Sequence, residues 1–348
     1  MYLLKRSFVA HLAVLFLVVL SAASWSDAAT AAGAQAKGQA AKGQTAKGQA
    51  AKGQTKGQAK KQVKSRVKAK RQPAPAAAAA DGDPQRLSIK STSAIILDQQ
   101  SGEILFGKNH GTVVPIASIT KLMTAMVVLD ANLDPDEPMA ITHEDIDLEK
   151  GSRSRLSVGS AVSRDELLLI ALMASENRAA SALGRSYPGG IAAFVQAMNH
   201  KAQMLGMRDS RFVDSTGLSS ANVSTAEDLG KMVRAAHAYP RIRGYSTAAS
   251  YEVHTGHRML AYRNTNQLVS NDGWHIGLSK TGYINEAGRC LVMQATLKTR
   301  PVIIVLLDSW GKLTRIADAN RIRKWLEAAP NLAVSHKAAQ VRRDESGG

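Results

Sequence analysis

From residue 86 onward, apolar residues recur with the short period typical of strands and the longer period typical of helices. Two β-rich runs, 93–97 and 104–106, flank the turn sequence DQQSG and predict an antiparallel hairpin. Two further runs, 290–297 and 302–307, are separated by KTRP and predict a second antiparallel pair. A short strand is also predicted at 251–253.

Helical spacing dominates the region between the two strand pairs. Leu122, Met126 and Leu129 fall on one side of a helix predicted at 121–131. Further helices are predicted at 164–173, 179–184 and 191–205, and YPGG separates the second of these from the third. A closing helix is predicted at 312–328, with its inward side formed by Ile316, Ile322, Trp325 and Leu326. This order predicts an α/β fold of the α+β kind, with an antiparallel sheet flanked by helices and an inserted helical lobe.

The first 29 residues have the pattern of a secretory signal peptide. Lys5 and Arg6 precede a short apolar core at 11–20, and small residues follow. A membrane span needs about 20 apolar residues, which favours a cleaved signal over the alternative of an uncleaved N-terminal anchor. No second stretch of membrane length occurs in the sequence, so we expect a periplasmic protein.

The basic charge of the chain is concentrated in one segment. Residues 1–80 hold 14 Lys and Arg against one acid, whereas residues 81–348 hold 31 basic and 27 acidic residues. The segment 30–85 repeats AKGQ and contains almost no large apolar side chain, which predicts a disordered tether. It serves either as a solvated spacer or as a polycation that contacts an anionic wall or membrane surface. A signal peptide ahead of it excludes nucleic acid as a partner.

The remaining boundaries place one catalytic domain at 86–328 and a polar tail at 329–348. The single cysteine, Cys290, excludes an internal disulfide and lies in an apolar run typical of a buried core. There is no G-x-S-x-G elbow and no H-E-x-x-H helix, and HEDID at His143 has the wrong spacing for zinc. The nine histidines show no metal-ligand spacing, so we expect neither a metal nor a cofactor.

Three short motifs carry the candidate chemistry, and each is placed at an element boundary. The sequence Ser118-Ile119-Thr120-Lys121 opens the first long helix, and Ser175-Glu176-Asn177 follows between two helical segments. The third, Lys280-Thr281-Gly282, comes just before the last strands. In this order the motifs S-x-x-K, S-x-N and K-T-G resemble the signature of penicillin-binding proteins and class A β-lactamases.

The residue types suit nucleophilic catalysis. Ser118 and Lys121 are three apart, so on a helix they share a face and can hydrogen-bond. Lysine can accept the serine proton only if its pKa falls, which burial and a nearby cation such as Lys280 promote. A hydroxyl at Ser175 could pass a proton between Lys121 and a leaving amine, and the amide of Asn177 could hold Lys121 or the substrate backbone.

The stretches around these motifs are similar to the D-alanyl-D-alanine carboxypeptidase family, peptidase family S11, over roughly residues 89–326. The strings are PIASITKLMTAMVVLDA, LMASENRAASALG, DSTGLSSANVSTAEDL and GLSKTGYINEAGRCLVM. The resemblance implies a β-lactamase/transpeptidase-like fold, a peptidoglycan peptide as substrate and β-lactams as inhibitors.

The same resemblance implies a role for each motif residue. Ser118 is then the acylated nucleophile, Lys121 the general base, and Ser175 and Asn177 the proton-relay and positioning residues. Substrate binding falls to Lys280, Thr281 and Gly282, and the oxyanion hole to the backbone N–H groups of Ser118 and Tyr283. Glu176, where relatives have Asp or Gly, is not expected to take part in the chemistry.

The endopeptidase branch of the family, the penicillin-binding protein 7 type, is expected to be the nearest. Only about 20 residues follow Leu326, which leaves no room for the additional β-domain and anchor of many carboxypeptidases. Three alternatives stay open: a carboxypeptidase that trims stem pentapeptides, a β-lactamase, and a non-catalytic penicillin sensor. A class A β-lactamase needs an E-x-x-L-N loop, and no such string lies between Asn177 and Lys280.

Overall fold

A five-stranded antiparallel sheet forms the centre of the computed structural model, which describes residues 87–328. Its strand order is β2-β1-β11-β10-β9. The strands are β1 (Ser93–Asp98), β2 (Ile104–Lys108), β9 (His275–Ile284), β10 (Gly288–Leu297) and β11 (Arg300–Ser309). Because β9 ends the order, one of its edges remains unpaired within this sheet.

Both faces of the sheet are covered, which explains why its central strands are apolar throughout. Ile95 and Val305 are register partners and belong to the core shared with the helical lobe. Their neighbours Ile96 and Ile304 point to the opposite face, where α7 (Thr314–Ala328) adds the buried Trp325 and other apolar residues.

The helical lobe is inserted between β2 and β9. Its helices are α1 (Thr120–Asp130), α2 (Arg164–Met173), α3 (Asn177–Arg185), α4 (Gly190–Met204), α5 (Ala226–His237) and α6 (Pro240–Thr247). Nearly every residue of α1 is buried, including Thr120, Lys121 and Thr124, so the burial extends beyond the apolar side that the sequence predicted. A central, immobilised α1 suits a helix that carries reactive groups at its N-terminus.

Three two-stranded sheets complete the domain. They pair β3 (Val114–Pro115) with β6 (Val223–Ser224), β4 (Pro138–Ala140) with β5 (Ala161–Ser163), and β7 (Ser250–His254) with β8 (Met259–Arg263). None of the helices within residues 87–328 has the length and apolarity needed to span a membrane.

The predicted fold class is confirmed, and so are the hairpin, the C-terminal strand pair, the helices at 121–131, 164–173, 179–184 and 191–205, and the short strand at 251–253. The terminal helix begins at Thr314 rather than at Lys312. Cys290 is fully buried in the core, and burial raises the pKa of its thiol to about 11. The signal peptide, the basic tether and the polar tail lie outside the described residues.

Two placements differ from the expectation. The K-T-G motif does precede the last two strands, but it lies inside a further strand, β9, which was not predicted. Ser118 belongs to a 3-10 turn, Ala117–Ile119, which leads into α1 instead of being its first residue. Helices α5 and α6 were not predicted at all.

Candidate active site

The turn that carries Ser118 is held in an uncommon conformation. Ala117 has φ +50°, which is left-handed and rare for a residue with a side chain. Its carbonyl accepts a hydrogen bond of 2.8 Å from Thr120 Oγ1. Gly217 packs so closely against it that a Cβ there would lie 2.0 Å from Ala117 O. The turn is therefore clamped, and Ser118 is the partly exposed residue between two fully buried neighbours.

Lys121 is buried one turn further on and makes three polar contacts. Its Nζ donates to Ser118 Oγ at 2.9 Å, to Asn177 Oδ1 at 2.7 Å and to Thr216 O at 2.6 Å. Burial lowers the pKa of Lys121 to about 7, although the carboxylates of Asp214 and Glu176 act in the opposite direction. Near neutral pH the amine is thus available in its uncharged form, next to a hydroxyl.

Lys280 provides a second buried amine. Its side chain is 1% exposed, and its Nζ donates to Ser175 Oγ at 2.9 Å and to Thr281 O at 2.8 Å. Burial, followed by the nearby charges of Lys121 and Arg315, lowers the pKa of Lys280 well below its ordinary value. The charge of Lys121 thus disfavours a proton on Lys280. The sequence predicted the reverse influence, of Lys280 on Lys121, but it is burial that lowers the pKa of Lys121.

The connection between α2 and α3 positions Ser175 and Asn177. Ser175 has φ +60°, a left-handed conformation that turns the chain sharply between the two helices. The carboxylate of Glu176 accepts a hydrogen bond of 3.3 Å from Arg178 N and caps α3. The amide of Asn177 is fixed on both sides, because its Oδ1 accepts from Lys121 and its Nδ2 donates to Ser152 Oγ at 2.9 Å.

Ser175 is hydrogen-bonded to Lys280. The sequence predicts its hydroxyl between Lys121 and the leaving amine, whereas in the folded domain it accepts a hydrogen bond from Lys280 Nζ at 2.9 Å. Any proton passed through Ser175 therefore has Lys280 as its immediate neighbour.

The loop DSTG, which is outside the three motifs, supplies a further contact to Lys121. The carbonyl of Thr216 accepts a hydrogen bond from Lys121 Nζ. The carboxylate of Asp214 holds the loop that contains Thr216 in place. Asp214 Oδ1 accepts from the backbone N–H groups of Thr216 and Gly217 at 2.6 Å each, and Oδ2 accepts from Asn222 Nδ2 at 2.8 Å. An Asp followed by Ser, Thr and Gly has the composition of such a turn, which is the signal that could have identified it.

The edge strand β9 forms the opposite wall of a cleft with a volume of about 470 Å³. Gly282 lets this strand approach the serine turn, because a Cβ there would lie 3.1 Å from Ser118 N. Thr281 Oγ1 donates to Thr265 Oγ1 at 2.6 Å. Arg315, from α7, lines the same cleft and donates to Gly282 O at 3.3 Å. The cleft thus combines a free strand edge with hydroxyl and guanidinium donors.

All residues expected at the site meet around this cleft. The helical lobe contributes Ser118, Ser175 and Asn177, and Lys121 is buried beneath them. The sheet contributes Lys280, Thr281, Gly282 and Tyr283. Four contributors were missed by sequence: Ser152, Thr216, Thr265 and Arg315. Among residues 87–328, no group of three or more His, Cys, Asp or Glu side chains is arranged to hold a metal ion.

A serine hydrogen-bonded to a buried amine, facing an open strand edge, defines a serine acyl-transfer site on an α+β scaffold. The sequence profile of peptidase S11, described as D-alanyl-D-alanine carboxypeptidase, matches residues 77–311. The chain belongs to this family and is a serine DD-peptidase.

Named relatives and solved structures agree with this assignment. The chain is 48% identical to a D-alanyl-D-alanine endopeptidase of Pseudomonas aeruginosa over 77% of its own length and 87% of the relative. It is 45% identical to a D-alanyl-D-alanine endopeptidase of Escherichia coli over 74% and 84% of the two chains. The crystal structure of the Streptomyces K15 DD-transpeptidase superposes with a TM-score of 0.65 at 30% identity, covering 69% of this chain and 98% of that one.

Proposed function

We propose that this serine DD-peptidase is an endopeptidase that cleaves peptide cross-links of peptidoglycan through an acyl-enzyme on Ser118. The observation that carries the proposal is the 2.9 Å hydrogen bond between Ser118 Oγ and the buried Lys121 Nζ. Two endopeptidases, 48% and 45% identical over most of this chain, support the choice of endopeptidase over carboxypeptidase.

Lys121 acts as the general base. A neutral amine has two N–H groups and one lone pair. The two N–H groups donate hydrogen bonds to Asn177 Oδ1 and to the carbonyl oxygen of Thr216. The lone pair is then left for the hydroxyl proton of Ser118. As Ser118 Oγ bonds to the carbonyl carbon of the D-alanyl residue, its proton moves to Lys121 Nζ.

The oxyanion that forms is stabilised by the backbone N–H groups of Ser118 and Tyr283. Support comes from the close approach of β9 to the serine turn, where a Cβ at position 282 would lie 3.0 Å from Ile116 O and 3.1 Å from Ser118 N. Hydrogen-bond donors fixed in advance toward the developing charge lower the barrier without further reorganisation. When the intermediate collapses, the bond to the leaving nitrogen breaks, and that nitrogen takes a proton from Ser175, whose hydroxyl is restored by a proton from Lys280 Nζ. Water then attacks the acyl carbon, the bond to Ser118 Oγ breaks, and Ser118 takes back the proton held by Lys121 while the proton released by water returns to Lys280.

Substrate binding involves the sheet side of the cleft. The free edge of β9 offers backbone groups to an extended peptide, and Gly282 leaves room for its backbone. Lys280 and Thr281 bind the carboxylate that follows the scissile bond, next to the guanidinium of Arg315. β-Lactams, which resemble the D-alanyl peptide bond, bind in the same way and acylate Ser118.

Residues outside the described range determine where the enzyme works. We assign 1–29 as a signal peptide that directs the protein to the periplasm, and 30–85 as a basic segment that contacts an anionic wall or membrane surface. The composition of these segments supports both assignments, since residues 1–80 carry 14 basic residues against one acid.

Digestion of purified muropeptides distinguishes the two reactions of the family. The mature protein is incubated with cross-linked dimers and with uncross-linked pentapeptides, and the products are identified by mass spectrometry. An endopeptidase converts dimers into monomers, and Ser118→Ala does neither reaction. Intact dimers together with pentapeptides shortened by one alanine would establish a carboxypeptidase and contradict the proposal.

A further inference from the structure

A second cleft, with a volume of about 470 Å³, adjoins the active site. Ser175 and Asn177 line both clefts, so the two are continuous around the S-x-N loop. The second cleft has three arginines, Arg153, Arg155 and Arg263, but neither Ser118 nor Thr281 lines it. It therefore extends away from the nucleophile on the Ser175 side.

The arginines have no carboxylate partner in the described part of the chain. Salt bridges within residues 87–328 involve other basic side chains. The one acid that lines the cleft is Glu176, which is 7% exposed and already caps α3. Arg153 and Arg263 are exposed, so the cleft presents a net positive charge to solvent.

The walls of the cleft are fixed by contacts that leave the positive charge of its arginines without a neutralising carboxylate. Arg155 Nη1 donates to Ala261 O at 2.5 Å, and its guanidinium lies 4.0 Å from the centre of the Tyr262 ring. These contacts join the loop that precedes β5 to strand β8. Ser152, on the same loop, accepts from Asn177 Nδ2 and ties the loop to the active site. A guanidinium binds carboxylates through paired N–H donors, and a rigid wall favours such binding.

We propose that this arginine-lined cleft binds the free carboxylates of the leaving peptide in a cross-linked substrate. The inference rests on the proposed function, in which Ser175 gives a proton to the leaving nitrogen. The leaving peptide must then extend from Ser175, and the arginine-lined cleft begins there. Stem peptides of peptidoglycan are acidic, whereas the single D-alanine released by a carboxypeptidase has one carboxylate, which Lys280 and Thr281 already bind. The cleft thus favours cross-linked over uncross-linked substrates.

The double variant Arg153→Gln/Arg263→Gln tests the proposal, with Arg208→Gln, an exposed arginine elsewhere on the domain, as the matched control. We expect kcat/KM for cross-linked dimers to fall by about tenfold, mainly through KM, as expected for lost binding that is equal in the ground and transition states. Penicillin has no leaving peptide, so its acylation rate stays within about twofold and shows that the variant is folded. A loss of similar size for dimers, pentapeptides and penicillin, or no loss for dimers, would overturn the proposal.

A binding measurement separates this inference from the endopeptidase assignment. Calorimetry on the Ser118→Ala protein compares an acidic stem peptide with the same peptide whose carboxyl groups are amidated, except for the one assigned to Lys280 and Thr281, which stays free in both. We expect amidation to weaken binding by about tenfold at low salt, and the added arginine substitutions to remove that difference. Equal affinity for the two peptides would overturn the subsite. If the acidic peptide binds more tightly than the amidated one but the unmodified enzyme leaves dimers intact, the carboxylate-binding subsite is supported and the endopeptidase function is refuted.

Discussion

The protonation state of Lys121 decides whether Ser118 can be activated. Burial lowers the pKa of this amine to about 7, so the neutral fraction increases as the pH rises through neutrality. We expect the acylation rate with a fluorescent penicillin to rise about tenfold per pH unit below pH 7 and to level off above it. A rate that stays constant from mildly acidic to alkaline pH would contradict the base role of Lys121.

Asn177 offers a way to shift that titration without removing the lysine. Its Oδ1 lies 2.7 Å from Lys121 Nζ, so Asn177→Asp places a carboxylate against the amine. An adjacent negative charge favours the ammonium form and raises the pKa of Lys121, by about one to three units. The midpoint of the pH–rate profile should move upward by that amount, with slower acylation at pH 7 that recovers at higher pH.

Asn271→Asp is the matched control for this shift. Asn271 is exposed, and its Oδ1 accepts from Gly273 N at 2.9 Å, a role that a carboxylate also fills. Its profile should coincide with that of the unmodified enzyme. An unchanged midpoint in Asn177→Asp would show that Lys121 does not govern the acylation rate.

At the scale of single elements, the Ser118 turn depends on the loop that packs against it. Gly217 has φ +80°, and a Cβ at this position would lie 2.0 Å from Ala117 O. We expect Gly217→Ala to destabilise the fold by roughly 2–4 kcal/mol, through backbone strain and overpacking, and to slow acylation by displacing Ser118. Thermal unfolding and penicillin labelling measure the two effects.

Gly244 provides the contrast for this prediction. It lies within α6, and a Cβ there meets nothing within 4 Å. Gly244→Ala should keep full acylation and stabilise the domain by roughly 0.5–1 kcal/mol, because alanine favours a helix. If Gly217→Ala were as stable and as active as Gly244→Ala, the close packing of the two loops would not be what positions the nucleophile.

Elements with strong local patterns could be predicted from sequence, and elements formed by tertiary contacts could not. The runs that became β1 and β11 are apolar on both faces, and α1 has apolar residues at helical spacing, so their character is visible locally. Strand β9, HIGLSKTGYI, mixes glycine and lysine with apolar residues. It is a strand because β10 pairs with it and α6 and the serine turn cover it.

The same distinction applies to the site. The reactive groups of the site could be predicted from the three motifs, because the residues of each motif have a fixed spacing along the chain. Thr216 contributes only a backbone carbonyl, and Arg315 reaches the cleft from the terminal helix. The composition of DSTG predicts a turn at Thr216 but not the partner of its carbonyl, and no pattern near Arg315 indicates that it reaches the cleft. Both contacts therefore required the folded structure.

At the scale of the whole molecule, charge and catalysis are separated along the chain. Residues 1–80 carry 14 basic residues against one acid, whereas residues 81–348 are nearly balanced with 31 basic and 27 acidic residues. A protein that begins at Pro84 should therefore melt at the same temperature and acylate at the same rate as the mature protein. A large loss of acylation would show that the basic segment belongs to the folded enzyme.

The same pair of proteins tests the proposed wall contact. The mature protein should bind isolated sacculi more tightly than the shortened one, and the difference should shrink as salt is added, because exposed charges are screened beyond about 8 Å at physiological ionic strength. Equal binding by both, insensitive to salt, would reduce the basic segment to a spacer.

Acylation of Ser118 is the step on which every proposed role depends. Intact-mass spectrometry of the mature protein after exposure to penicillin, followed by peptide mapping, measures it directly. We predict one penicilloyl group per chain, located on the peptide that contains Ser118, and no adduct in Ser118→Ala. An adduct on any other residue, or persistent labelling of Ser118→Ala, would contradict the assignment of Ser118 as the nucleophile.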